Sequence, residues 1–229
     1  MSDLKLVIGN KNYSSWSLRP WFFLKNLGID FEEELVWLFE EKKESHLSSY
    51  FSNEKVPVLV DSTFALQDGS SLQVWDTLAI IEHIATRFKK GWPEDMANKA
   101  IARAVSAEMH SGFTGIRNAL PMNCKKHFPN YPIEAEVQQD IDRIVAVWDY
   151  CRGTLNEKDS FSSKGSWLFG EFSGADAMFA PVVMRMIGYD VQLSGFASDY
   201  AQMVLENTAM QEWVSAGKLE THVIEEDEV

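Results

Sequence analysis

The chain has 229 residues, a net charge of −13 and two cysteines. That length allows two modest domains, each with its own core. The acidic balance, with no basic cluster to offset it, excludes a nucleic-acid partner, and two cysteines are too few for a disulfide framework. Cys124 and Cys151 each fall in or beside a helical apolar pattern, so both are expected as buried, reduced thiols. Met1 to Leu6 lacks the basic lead of a signal peptide and no apolar stretch reaches membrane-spanning length, which leads us to expect no membrane partner and a cytoplasmic setting.

In chain order, Leu4 to Ile8 reads as a strand, Pro20 to Leu27 as a helix closed by Gly28, and Phe31 to Leu38 as a second strand. Between the first two lies Asn12-Tyr13-Ser14-Ser15-Trp16-Ser17-Leu18-Arg19, which clusters hydroxyls at a helix start, where orphan backbone N–H groups favour an anion. Pro20 suits a first turn, which makes Ser17 the expected N-cap and leaves Ser14 and Ser15 in the turn ahead of it. Lys42, Lys43 and His46 read as a solvated polar face.

Val56 to Val60 and Ser71 to Trp75 read as a hairpin pair, and the segment Asp61 to Ser71 exceeds a tight turn and reads as an inserted loop. Pro57 at the start of an apolar strand fits either an ordinary trans proline or a cis bond that presents the Val56 backbone to an extended peptide. Asp76-Thr77 opens a helix running to Arg87, on which His83 reads as a surface residue. Asp76 there is either a simple N-cap or, with Thr77, a receptor for a zwitterionic amino-acid head.

Lys89 to Asp95 breaks the pattern as a connection between domains would. Everything after it is helical. Apolar residues recur from Asn98 to Leu120 and again from Ile133 to Leu155, as two helices packed side by side. Beside the first seam, Arg103, Ala107, His110, Thr114 and Arg117 form a more polar stripe. Ser173 to Asp176 reads as a capping box ahead of the apolar run 177–187, and Glu225 to Glu228 as a solvated, frayed end. No spacing of His, Cys, Asp and Glu suggests a metal site.

Four of these motifs, in this order, resemble the soluble glutathione transferases, and the resemblance covers nearly the whole chain. Ser14 to Arg19 resembles the serine motif of zeta-like bacterial members. Lys55-Val56-Pro57-Val58-Leu59 resembles the cis-proline strand, Asp76-Thr77-Leu78 the γ-glutamyl-binding motif, and Ser173 to Asp176 the capping box of the second domain.

The resemblance implies an α/β plus all-α fold: a thioredoxin-like glutathione-binding domain at 1–87, a linker at 88–97 and an all-helical substrate domain at 98–229. It further implies a glutathione S-transferase that takes glutathione as cosubstrate and conjugates it to a hydrophobic electrophile, with Ser14 stabilising the thiolate. Lys55, Val56, Pro57, Asp76 and Thr77 would hold the tripeptide, and Trp16, His110 and Arg117 would face the electrophile. A homodimer is expected on the same ground. Trp16 stands where the zeta motif has cysteine, which counts against a maleylacetoacetate isomerase; a glutathione-dependent cis–trans isomerase and a noncatalytic ligand-binding protein are the alternatives. With no cysteine in the first domain, dithiol exchange and cysteine-nucleophile transfer are excluded there.

Overall fold

The computed structural model describes residues 2–39, 47–153 and 166–229. Lys42, Lys43, His46 and Leu155 lie outside them. Strand β1 (Leu4–Ile8) alternates its side chains across the sheet. Leu4, Leu6 and Ile8 enter the main core, whereas Val7 joins Val36, Leu47 and Val58 on the opposite face. β1 pairs in parallel with β2 (Glu32–Leu35) and antiparallel with β3 (Val58–Ala65), which pairs antiparallel with β4 (Ser71–Trp75). The sheet order is β2-β1-β3-β4, and helices α1 (Ser15–Asn26) and α2 (Thr77–Phe88) complete the thioredoxin-like part.

The remaining helices are α3 (Met96–Ser111), α4 (Thr114–Ala119), α5 (Ala135–Gly153), α6 (Gly174–Gly188), α7 (Gly195–Glu206) and α8 (Thr208–Leu219), followed by a 3-10 turn at Glu225–Asp227. The helical part is not a separate core. Leu18, Trp21, Phe22 and Leu24 of α1 belong to the same buried cluster as Met178, Phe179 and Val182 of α6 and Trp213 of α8. Among the described residues no helix is long and apolar enough to cross a membrane.

Several local expectations change. Helix α1 begins at Ser15 with Ser14 as its N-cap, so Ser17 lies inside the first turn and Pro20 is the sixth helical residue. Proline there has no N–H to give to the carbonyl four residues back, which frees the Trp16 carbonyl. The apolar run 98–120 is broken at Gly112, and Phe113 takes a left-handed conformation (φ 55°) before α4. A Cβ at Gly112 would meet the Glu108 carbonyl oxygen at 2.9 Å. Asp140 of α5 then accepts from the Ile116 N–H at 3.0 Å and holds α4 in its new direction.

Residues 61–71 are no inserted loop. β3 continues to Ala65 through a register irregularity after Asp61, leaving a short turn at 66–70. The irregularity coincides with a buried charge: Asp61 is fully buried and pairs with His83 Nε2 (2.8 Å) and Arg87 (2.6 Å). His83, read as a surface residue, therefore turns its Nε2 to a buried carboxylate.

The acidic end is not frayed. Ile224 is buried, and Glu228 accepts from Tyr13 Oη (2.6 Å) and Asn123 Nδ2 (2.9 Å) and pairs with Lys126. Both cysteines are free and buried, and burial pushes each thiol up to about 12.

Candidate functional site

Two helix starts and one strand entry converge on a cleft of about 860 Å³, lined by Trp16, Tyr50–Asn53, Lys55, Val56, Pro57, Trp75, Asp76, Thr77 and His110. Such a volume suits a small peptide. The Val56–Pro57 peptide is cis and forms the edge where the loop enters β3.

Asp76 occupies φ 74°, ψ 129°, a conformation that side chains other than glycine rarely hold. It is kept there from two sides. Its Oδ1 caps α2 by accepting from Leu78 N (2.9 Å) and Ala79 N (3.4 Å), while its Oδ2 lies 3.1 Å from His110 Nε2 on α3. Strain of this kind clusters at binding sites, because surrounding contacts must over-determine it. The two cap bonds leave the Thr77 N–H, at the first position of α2, for another acceptor.

The Thr77 hydroxyl donates to the Trp16 carbonyl at 2.9 Å, the carbonyl that Pro20 leaves free. One side-chain bond thus joins the starts of α1 and α2. Thr77→Val removes that donor at a cost of about 1 kcal/mol. The thermal midpoint is expected to fall by about 2–4 °C in a chain of this size, and an unchanged midpoint would show that the bond carries no stability.

Ser14 is nearly buried (7 % exposed) and is not itself in the cleft lining. Its oxygen accepts from Ser17 N (3.4 Å) and lies 2.8 Å from Ser17 Oγ, which also accepts from Gly9 N (3.0 Å). Ser15 is held from beneath. Arg19 Nη1 donates to its carbonyl (3.2 Å) and Arg185 Nη2 of α6 to its hydroxyl (3.1 Å).

The surroundings of Trp16 are strongly cationic. Arg19 stands 4.4 Å and Arg117 5.2 Å from the Trp16 ring centre, and neither has an ion-pair partner among the described residues. Burial, followed by the neighbouring Arg185 and Arg117 guanidiniums, pushes the Arg19 pKa well down, with Asp76 opposing. Burial likewise lowers Arg185 to about 10. Together with the α1 N-terminus, this potential favours an anion at the Trp16 end of the cleft.

Of the expected electrophile-facing residues, Trp16 and His110 line the cleft, their rings 5.4 Å apart and edge-on. Arg117 stands behind them, donating to the His110 carbonyl (3.3 Å). Arg103 of the same polar stripe turns instead to Glu82 of α2, with two bonds of 2.8 and 2.9 Å.

Sequence reasoning missed Tyr50, Phe51, Ser52, Asn53 and Trp75. Ser52 is 4 % exposed, its hydroxyl has no partner among the described residues, and it lines the cleft. A buried hydroxyl of this kind is open to a ligand's polar group. Asn53 and Glu54 follow in left-handed conformations (φ 53° and 58°). The one available signal was Trp75, a large aromatic at a strand end directly before Asp76. Among the described residues no cluster of His, Cys, Asp and Glu could hold a metal ion.

Residues 13–87 match the family model described as the glutathione S-transferase N-terminal domain. A search of curated proteins finds no match. Among solved structures, a glutathione transferase homologue from Burkholderia with bound glutathione is 19 % identical, with 94 % of this chain and 97 % of that one covered and a TM-score of 0.64. Ure2p in complex with glutathione is 18 % identical over 92 % and 97 % of the two chains, also at TM-score 0.64. A Pseudomonas putida glutathione transferase with one glutathione disulfide bound per subunit is 19 % identical over 92 % and 90 %, at 0.60. The fold is that of a glutathione transferase: a thioredoxin-like first part with a four-stranded mixed sheet, then a helical region.

Proposed function

We propose that the protein is a serine-type glutathione S-transferase. One observation carries this reading: the cleft brings the cis Val56–Pro57 edge, the strained Asp76 cap with the Thr77 N–H, and the cationic start of α1 within reach of one extended tripeptide. The bound glutathione in the Burkholderia and Ure2p structures supports it. In this reading the Val56 backbone pairs with the cysteinyl unit, the γ-glutamyl carboxylate meets the Thr77 N–H, and its ammonium group meets Asp76. Lys55 and Ser52 supply further polar contacts.

The sulfur then lies at the start of α1. Hydroxyl hydrogens rotate to suit their surroundings, so the Ser14–Ser17 pair can reverse: Ser17 donates to Ser14, and the Ser14 hydrogen turns to the sulfur. Lowering a thiol pKa by two units takes about 2.7 kcal/mol. A hydrogen bond to a charged group contributes about 1.5–3 kcal/mol, and a helix N-terminus about 0.3–1 kcal/mol, so together they suffice. The thiolate lone pair forms the new C–S bond to an electrophile held against Trp16 and His110, and the leaving group departs with its electron pair. A cytoplasmic setting and pairing of two copies belong to the same reading.

The test is a titration of the full chain with glutathione at neutral pH, followed by heat and by the ultraviolet absorbance of the thiolate. Binding at about millimolar Kd or tighter, with thiolate absorbance appearing on binding, is expected. Absence of both would overturn the reading. Binding without turnover on a panel of electrophiles would leave a ligand-storage protein.

A further inference from the structure

The turn that delivers Ser14 to α1 is held by distant residues as well as by its own neighbours: Cys124 N donates to the Asn12 carbonyl (3.2 Å) and Oδ1 (2.9 Å), Leu38 N donates to Asn10 Oδ1 (2.8 Å), and a further set lies about 210 positions away. Asn10, Lys11, Asn12 and Tyr13 are all buried, at 0, 8, 0 and 6 % exposure. Within the turn, the Asn10 carbonyl takes Tyr13 N (3.2 Å) and Ser14 N (2.8 Å), and the Tyr13 carbonyl takes Ser15 N (2.8 Å). The amides of Lys11 and Asn12 are satisfied from elsewhere. Glu220, just past the end of α8, accepts from Lys11 N with one carboxylate oxygen (2.6 Å) and from Asn12 N with the other (2.9 Å). Two adjacent backbone donors on one carboxylate form a bidentate, charge-assisted pair, the stronger class of hydrogen bond.

The same segment grips the turn at two more points. His222 Nδ1 lies 3.2 Å from Asn10 Nδ2, and Tyr13 Oη donates to Glu228 Oε1 at 2.6 Å. The helix before it approaches as closely as backbone allows: a Cβ at Gly217 would meet Asn12 N at 3.1 Å. None of these residues lines the cleft.

We infer that segment 220–228 is a clamp fixing the turn at 10–13, and that Glu220 is a positioning residue setting where Ser14 presents its hydroxyl. The inference rests on the transferase reading for its catalytic consequence alone. The clamp itself is a property of the ligand-free chain. Without Glu220 the two amides need other acceptors, which a buried turn reaches only by moving, and Ser14 N, bonded to Asn10 O, moves with it.

The experiment compares the full-length chain with Glu220→Ala and Glu220→Gln, and with Glu226→Gln as the control for lost charge, since Glu226 is exposed. Hydrogen exchange of the peptide covering 9–17 is read without ligand. Exchange about 10- to 100-fold faster is expected in Glu220→Ala, less in Glu220→Gln, which keeps one acceptor, and near wild type in Glu226→Gln. With glutathione and 1-chloro-2,4-dinitrobenzene, kcat is expected to fall at least about fivefold in Glu220→Ala while the glutathione KM stays within about twofold.

Unchanged exchange at 9–17 overturns the clamp. Faster exchange with unchanged kcat overturns the positioning role. If wild-type protein shows no glutathione turnover, the transferase reading fails and the exchange arm alone judges the clamp. If Glu220→Ala does not fold, Tyr13→Phe, which removes only the bond to Glu228, is expected to speed exchange in the same peptide by a smaller factor.

Discussion

Replacing Ser14 by alanine is expected to lower kcat by about 10- to 150-fold, the factor that follows from losing a hydrogen bond of about 1.5–3 kcal/mol to a charged sulfur. The glutathione KM should change by less than about threefold, because in the proposed reading the tripeptide is held at the Val56 and Asp76–Thr77 ends. The substitution also deletes the N-cap of α1, which typically costs about 1 kcal/mol. Here the capping bond is long, at 3.4 Å, so the stability loss should fall below that value. Ser14→Thr, which keeps a hydroxyl, should recover part of the rate. Steady-state kinetics with thermal unfolding of the same variants separates the two effects, and an alanine variant with wild-type kcat would remove Ser14 from the mechanism.

The second large effect concerns folding. Asp176 is fully buried and accepts from Leu168 N (3.0 Å), Ser173 N (2.7 Å) and Ser173 Oγ (2.9 Å). Asp176→Ala strands these donors in the core and is expected to destabilise the chain by about 2–4 kcal/mol. A pH signature accompanies it. Burial raises the Asp176 carboxyl from 3.8 to about 6, against the pull of hydrogen bonds from Leu168, Ser173 and Tyr200.

A carboxyl that holds its proton more tightly when folded adds stability below its unfolded pKa and loses it as pH rises through the folded value. Between about pH 4 and 6 this group should therefore remove about 3 kcal/mol of stability, at 1.36 kcal/mol per unit. Asp176→Asn cannot titrate. Urea midpoints across that window should fall less steeply with rising pH in the asparagine variant than in wild type, and parallel slopes would show that Asp176 titrates alike in both states.

Legibility in the sequence followed the range of the interactions. The strand Leu4–Ile8, the Asp76 cap and the Ser173–Asp176 box rest on periodicity or on bonds spanning two to four residues, and each stands where the residues indicated. The cap, expected at Ser17, stands three positions earlier at Ser14, because Pro20 is tolerated deep in α1 through a bond from Thr77 to the Trp16 carbonyl, 61 residues apart. Gly112 was passed over inside an apolar seam. Its break depends on Asp140 of another helix, which no local pattern encodes. The acidic run at 225–228 looked solvated because its partners, Tyr13, Asn123 and Lys126, lie a hundred or more positions upstream. Likewise the hydroxyl of Ser52 has no neighbour in sequence that marks it as part of the cleft.

The missing hydrogen of Pro20 has one more effect. Because the Trp16 carbonyl is tied to the Thr77 side chain, the starts of α1 and α2 at the cleft are fastened to each other. In the proposed reading, a guest drawn against the second helix would tug on the indole beside the sulfur, so that seating the tripeptide's amino-acid head and shaping the space for its reaction partner would be one mechanical event.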